Sequence, residues 1–351
     1  MEGEEIIPQE SRLPEFKKTV LRVGTYVMIC FILRYICGVV IALADSAMYG
    51  RVELSLSYII KLSISGTFLQ ILPSVIGAFM FGLAGKNGTG IKRLYKKPAR
   101  FSKAVSNFAP VYGICQTVNI ITLIAVFVFS NKADFGKTIN TTLNDIPLDM
   151  ATSVFMMLLL VVIAPVFEEF MFRGLILGAL KPYGNGFAII TSGLLFGLFH
   201  GNFRQFFYTA AMGIAVGYIA DVTGSILPTT IIHAVINGIS GIMIIIMSTD
   251  GVKTMMTAGG TDSLTDTQMI SVAVFGIYMV AILIFMAVGF IAAVIKMKQI
   301  KRFKVPKVWT EISNGRKAAL LICTVPAIIS VIMIADTFLG FSDSLLTALF
   351  G

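Results

Sequence analysis

The run Ala164-Pro165-Val166-Phe167-Glu168-Glu169-Phe170-Met171-Phe172-Arg173 sets two adjacent carboxylates and an arginine inside an otherwise apolar segment long enough to cross a bilayer. A charged side chain at the centre of a membrane helix is unfavourable by ~2.5–3.5 kcal/mol on insertion scales, so a cluster of three implies a specific use. The chain on either side is similarly apolar: 56% of the 351 residues are hydrophobic and 13% are charged. Soluble domains carry about 25% charged residues. The expected fold is all-α, a polytopic transmembrane helical bundle of about nine spans. The strict alternation that marks a membrane barrel is absent.

Working outward from Glu168, apolar segments lie near Val23–Ala44, Ser63–Leu83, Ala104–Ser130, Met150–Leu180, Phe187–Asn202, Gln205–Ala220, Ile226–Met247, Met269–Val294 and Ala318–Leu339. The fourth ends at Lys181-Pro182-Tyr183-Gly184, a helix-stopping sequence. Pro73 predicts a kink in the second span, and Arg34 in the first predicts a side chain that faces the bundle or pairs with a neighbour. Cys30, Cys37, Cys115 and Cys323 all fall in apolar segments and predict no disulfide framework.

The net charge of +9 resides mainly in two places. Lys86 to Lys103 carries seven basic residues and no acid, and Lys296 to Lys317 carries eight against Glu311 alone. Such loops face the cytoplasm, which excludes a nucleic-acid surface as the reason for the charge. Ile91, Leu94, Tyr95, Phe101 and Val105 interleave with the first group, so it is expected to meet the anionic headgroups of the inner leaflet. The polar stretch Asn131 to Asp149 then lies outside. The first residues, with Glu2, Glu4, Glu5, Glu10 and Glu15 and no apolar core before a cleavage site, predict a retained cytoplasmic tail. Three parts follow: residues 1–148 with the tail, three spans and a basic loop; a membrane core at 149–247 that carries the acidic motif; and 248–351 with a polar loop and two further spans joined by the second basic loop.

Glu169 and Arg173 are four residues apart and share a helix face, in the order that favours an ion pair. Glu168 lies about 100° round the helix and needs a polar cavity or another helix. A carboxylate without an ion-pair partner, held where water is scarce, is suited to take a proton from a water molecule. The chain has two histidines, His200 and His233, both in apolar spans that follow the acidic motif. Counting from the span ends at ~1.5 Å per residue puts Glu168 and both histidines at depths that allow them to meet. Asn237 is one turn after His233 and supplies donor and acceptor, and Phe196 is one turn before His200 and suits a packing role.

The ordered set Glu168-Glu169-x-x-x-Arg173, Phe196-x-x-x-His200 and His233-x-x-x-Asn237 resembles the motifs of the CPBP family, the CAAX prenyl proteases and bacteriocin-processing enzymes also called Abi. The resemblance covers about Asp149 to Met247. It implies an intramembrane endopeptidase in which Glu168 activates water with help from His200, His233 and Asn237 stabilise the oxyanion or orient the water, and Glu169 and Arg173 hold the glutamate helix. Members are often called metalloproteases. His200, His233 and Glu168 are the candidate ligands for zinc or another divalent metal, although the compact His-Glu-x-x-His pattern is absent and a direct glutamate/histidine mechanism needs no metal. The implied substrate is a peptide or small protein, of CAAX type or in peptide maturation or bacteriocin immunity. A bacterial cytoplasmic membrane is the expected location. The rival from another class is a non-proteolytic scaffold, immunity protein or proton-coupled carrier on the same fold. Serine and aspartyl chemistries fit less well: Ser192-Gly193 reads as helix packing, and Asp221 has no partner aspartate in a span.

Overall fold

A computed structural model describes residues 12–49, 51–83, 89–129, 149–258, 260–261, 264–300 and 312–339. The first eleven residues, the polar stretch at 131–148 and the middle of the second basic segment lie outside the described residues. Among the described residues the chain is helical and contains no strand. We number the helices α1 (Arg12–Met48), α2 (Leu54–Met80), α3 (Thr89–Leu94), α4 (Phe101–Val105), α5 (Phe108–Phe129), α6 (Met150–Tyr183) and α7 (Asn185–Phe199). There follow α8 (Phe203–Thr223), α9 (Leu227–Met247), α10 (Asp250–Ala258), α11 (Asp266–Ile300), α12 (Asn314–Ile322) and α13 (Val325–Leu339).

Seven of the nine apolar segments each fall on one helix, while the third falls on α4 and α5 and the ninth on α12 and α13. Seven of the described spans are long and apolar enough to cross a membrane, with α4 and α5 counted as one, and α12 with α13 makes an eighth across a 77° bend. The fifth segment differs. Its helix α7 has 15 residues, roughly 22 Å at 1.5 Å per residue, which is short of a ~30 Å hydrocarbon core. It stops inside the bundle and turns back into α8 at Gly201, whose φ of +66° favours glycine.

This hairpin is held by close backbone approach. A Cβ added to Gly193 would lie 2.7 Å from the Ile214 backbone nitrogen, and one added to Gly197 would lie 2.7 Å from the Phe206 carbonyl oxygen. Small residues that let helices touch are the usual means of association where no hydrophobic force acts between them. Ser192 Oγ donates to the Phe172 carbonyl at 2.7 Å, which joins α7 to α6 and bears out a packing role for Ser192-Gly193.

The predicted stop of α6 is a 3-10 turn at Lys181–Tyr183 closed by Gly184 at φ +133°. Lys317, expected in a basic loop, instead lies in α12, is buried, and donates from Nζ to the Tyr183 carbonyl at 2.6 Å. A carbonyl left over at a helix end gives a buried ammonium its partner. Cys30, Cys37 and Cys115 are buried thiols and Cys323 an exposed one, with no disulfide.

Two of the long spans are wound partly in π register, with i→i+5 hydrogen bonds. The π segments are Thr67–Ile71 in α2, and Leu159–Ile163 and Phe170–Leu177 in α6. Such segments recur near functional sites because they displace side chains from the α-helical face. All three border the acidic motif.

Candidate active site

Glu168 and Glu169 lie on α6 between its two π segments, and both are buried. Glu169 is paired on the same helix as expected: Arg173 Nη1 is 3.0 Å from its Oε1, and both side chains are fully buried. The guanidinium makes no aligned hydrogen bond to a described acceptor and lies 4.4 Å from the centroid of the Phe196 ring. A cation over an aromatic face is attracted to it, most strongly where water is excluded. Phe196 thus supports the arginine as well as the histidines, with ring centroids 4.8 Å from His200 and 5.6 Å from His233.

His233 arrives from α9 and joins the two acids. Its Nδ1 is 3.1 Å from Glu169 Oε1, so a Nδ1–H donates to that carboxylate and orients the ring. Its Nε2 then points to Glu168, 3.6 Å from Oε2, beyond hydrogen-bond length. The 100° offset between the adjacent glutamates therefore places one carboxylate on each edge of the imidazole.

His200 caps the C-terminus of α7. Its Nδ1 meets the Phe196 carbonyl at 2.9 Å, and it lies within electrostatic reach of Glu168 and His233. The turn that carries it is clasped from α1. Arg34 donates from Nη1 to Phe199 O at 3.1 Å and from Nη2 to His200 O at 3.3 Å. The expected bundle-facing arginine therefore finds helix-end carbonyls, which carry partial negative charge.

Asn237 shares the His233 face but reaches a different partner. Ala164 N–H reaches back five residues to Leu159 O, and the next residue, Pro165, has no N–H to offer the following carbonyl. That carbonyl, Leu160 O, accepts Asn237 Nδ2 at 2.9 Å. One of the two amide protons is thereby used, and the second remains for the site.

Two further residues reach the acidic motif without a sequence signal of their own. Gln70 Nε2 donates to Glu168 Oε1 at 2.7 Å from the π segment of α2. Tyr95, inside the first basic segment, donates to Val166 O at 2.9 Å, while the neighbouring Leu94 carbonyl accepts Ile226 N–H at 2.9 Å. The basic segment is thus anchored to α6 and to the start of α9. Burial raises the Tyr95 hydroxyl pKa well above its usual range, so this donor stays protonated.

Among the described residues, no three histidine, cysteine, aspartate or glutamate side chains form a metal-ligand set. The Nδ1 atoms of both histidines are engaged, and Glu168 Oε1 is held by Gln70. Both Nε2 atoms and Glu168 Oε2 remain as the donors not used in these contacts. Asp221, considered as an aspartyl catalyst, is occupied at the far end of α8 by Lys181 at 2.7 Å and Asn185 at 2.8 Å.

The fold and site together define a multi-pass helical membrane protein with a buried glutamate/histidine centre. Residues 150–239 match the family model described as Rce1-like, "Type II CAAX prenyl endopeptidase Rce1-like". The matched stretch contains the whole of the ordered motif set, which bears out the resemblance read from it. No curated protein and no solved structure matches the chain.

Proposed function

We propose that the protein is an intramembrane endopeptidase that hydrolyses a peptide bond by direct glutamate/histidine activation of water, with Glu168 as the base. The observation that carries this reading is the placement of Glu168 and Glu169 on opposite edges of His233, one acid neutralised by Arg173 and the other not. Among the described residues no arginine pairs with Glu168, which leaves its carboxylate available to take a proton from water. Glu168 takes the proton, the resulting hydroxide adds to the carbonyl carbon, and the C–N bond breaks as the proton passes to the leaving amine. His200 holds the water with Glu168. The oxyanion is met by the Nε2 edge of His233 and by the remaining amide proton of Asn237. Donors fixed in advance where charge develops act strongly in a site with little water. No step passes through a metal.

The family description favours a polypeptide ending in a prenylated CAAX-type sequence, and an apolar groove suits such a chain. It has a volume of about 550 Å³, is lined by Phe101, Val105, Phe108, Ile231, Val235 and Phe285, and borders the helix that carries His233. Exposed Lys92, Arg93, Lys96, Lys97, Arg100 and Lys103 lie on the chain leading into this groove and would meet anionic headgroups of the inner leaflet of a bacterial cytoplasmic membrane.

The test compares membrane-protein termini and small peptides, by mass spectrometry, in cells with the wild type, Glu168→Gln at equal abundance, or no copy. A terminus that forms only with the wild type supports the reading and identifies the bond cut. Equal peptides from wild type and Glu168→Gln, with a deletion phenotype that the variant rescues, would replace it with a scaffold.

A further inference from the structure

Glu168 has two oxygens with different surroundings. Oε1 accepts Gln70 Nε2 at 2.7 Å, a length typical of a charge-assisted bond, while Oε2 faces His233 Nε2 at 3.6 Å without a hydrogen bond. Left to itself, a glutamate carboxylate turns readily about its last torsion, which is broad and roughly two-fold. The Gln70 contact removes that freedom and leaves Oε2 as the oxygen with lone pairs open to a water. Among the described residues of 150–239 none donates to this oxygen: the partner comes from α2, 98 positions earlier in the chain.

The placement of Gln70 is specific. It sits in the five-residue π segment Thr67–Ile71, where Leu72 N–H reaches back to Thr67 O. The π register turns its side chain toward α6 at the point where α6 is itself distorted. The other amide atom, Gln70 Oε1, is buried and accepts from no described donor, so an acceptor for a water O–H or a substrate N–H stands beside the carboxylate. A buried polar atom without a partner calls for an explanation, and a reactant supplies one.

We propose that Gln70 is a positioning residue for the reaction, clamping Glu168 Oε1 so that Oε2 takes the proton from water. The proposal rests on the reading of Glu168 as the base. A purely structural role, as polar glue between two membrane helices, would show in stability and leave turnover of the folded protein untouched.

The experiment uses the full chain with Gln70→Met, close in size but without an N–H, alongside Glu168→Gln, Glu168→Asp and the double variant Glu168→Asp/Gln70→Met. A synthetic peptide spanning the bond identified in cells serves as substrate, and abundance and melting temperature are recorded for every variant. The expected result is a ~10- to 100-fold fall in kcat for Gln70→Met with KM unchanged. In the Glu168→Asp background, where the shorter carboxylate no longer reaches the amide, Gln70→Met has no further effect. Full kcat in a normally folded Gln70→Met protein overturns the proposal, as does a loss that simply adds to that of Glu168→Asp or falls on KM alone. In those cases Glu168→Gln is still inactive and the hydrolytic reading survives. If Glu168→Gln keeps forming product, or the wild type forms none, there is no base to position and the proposal falls with that reading.

Discussion

Glu169 and His233 stand 64 positions apart in the chain and meet at 3.1 Å, both buried, so that the acid paired with Arg173 also fixes the imidazole facing Glu168. One carboxylate thus serves structure and chemistry together.

Glu169→Gln is expected to lower cleavage by ~100-fold through loss of the His233 orientation, and to leave Arg173 as an uncompensated buried charge. Removing one member of a buried pair destabilises by about 3–5 kcal/mol. The variant Glu169→Gln/Arg173→Met removes both charges and should melt higher than either single variant, without recovering activity. Thermal unfolding in detergent together with the cleavage assay checks both halves.

Asn237 and Pro165 should be coupled through the Leu160 carbonyl. Asn237→Leu leaves that oxygen without its partner and is expected to cost about 1–3 kcal/mol. Pro165→Ala supplies a backbone N–H in the same register, so the double variant should regain much of the lost stability. A double-mutant cycle on melting temperatures tests this, and independent, additive effects would contradict the carbonyl account.

Cleavage should be unaffected by prolonged treatment with 1,10-phenanthroline and unaffected by added zinc. The expectation follows from the direct glutamate/histidine reading, together with the finding that among the described residues no three potential ligands form a metal-binding set. Activity lost to the chelator and restored by zinc, with metal found by mass spectrometry in the purified protein, would show that the donors rearrange to bind one.

Asp149 sets a pH limit on the start of α6. The Thr152 hydroxyl donates to its Oδ2 at 2.6 Å and the Thr152 backbone N–H to its Oδ1 at 2.9 Å, which hold the carboxyl down at about 2. An unfolded aspartate titrates near ~3.9, so the folded form gains stability that is complete above that value and is lost as pH falls toward 2. Wild type should therefore melt above Asp149→Ala at neutral pH, and the difference should shrink through this acid window. A difference that persists unchanged at the low end would place the effect elsewhere.

The spans were legible because their hydrophobic runs are long, and the break at Lys181 to Gly184 was legible because Pro182 and Gly184 punctuate it. The Glu169–Arg173 pair and the approach of His200 and His233 to Glu168 could also be read, since so few titratable residues occur in apolar segments. The length of α7 could not be read in the same way. Asn202 continues the polar break into α8, and hydropathy does not distinguish a helix that crosses from one that turns back. Gln70 left no trace, because a single amide in a span has no periodic partner and its contact depends on the π register, which apolar spacing does not encode. Arg34 announced that it needed a partner, but helix-end carbonyls are invisible in a sequence.

The π segment Phe170–Leu177 follows Glu169 directly and holds Arg173 within it. A π turn accommodates one residue more than an α turn, so loss of a single residue from this stretch would let the helix rewind smoothly. The rewound helix would still span about the same distance, stay apolar and keep its flanks in line, yet Arg173 and its neighbours inside the segment would lose the displaced positions that the π register gives them beside Glu169. Chain length here acts as a setting for chemistry: a sequence one residue shorter would fold as a membrane helix and lose its aim.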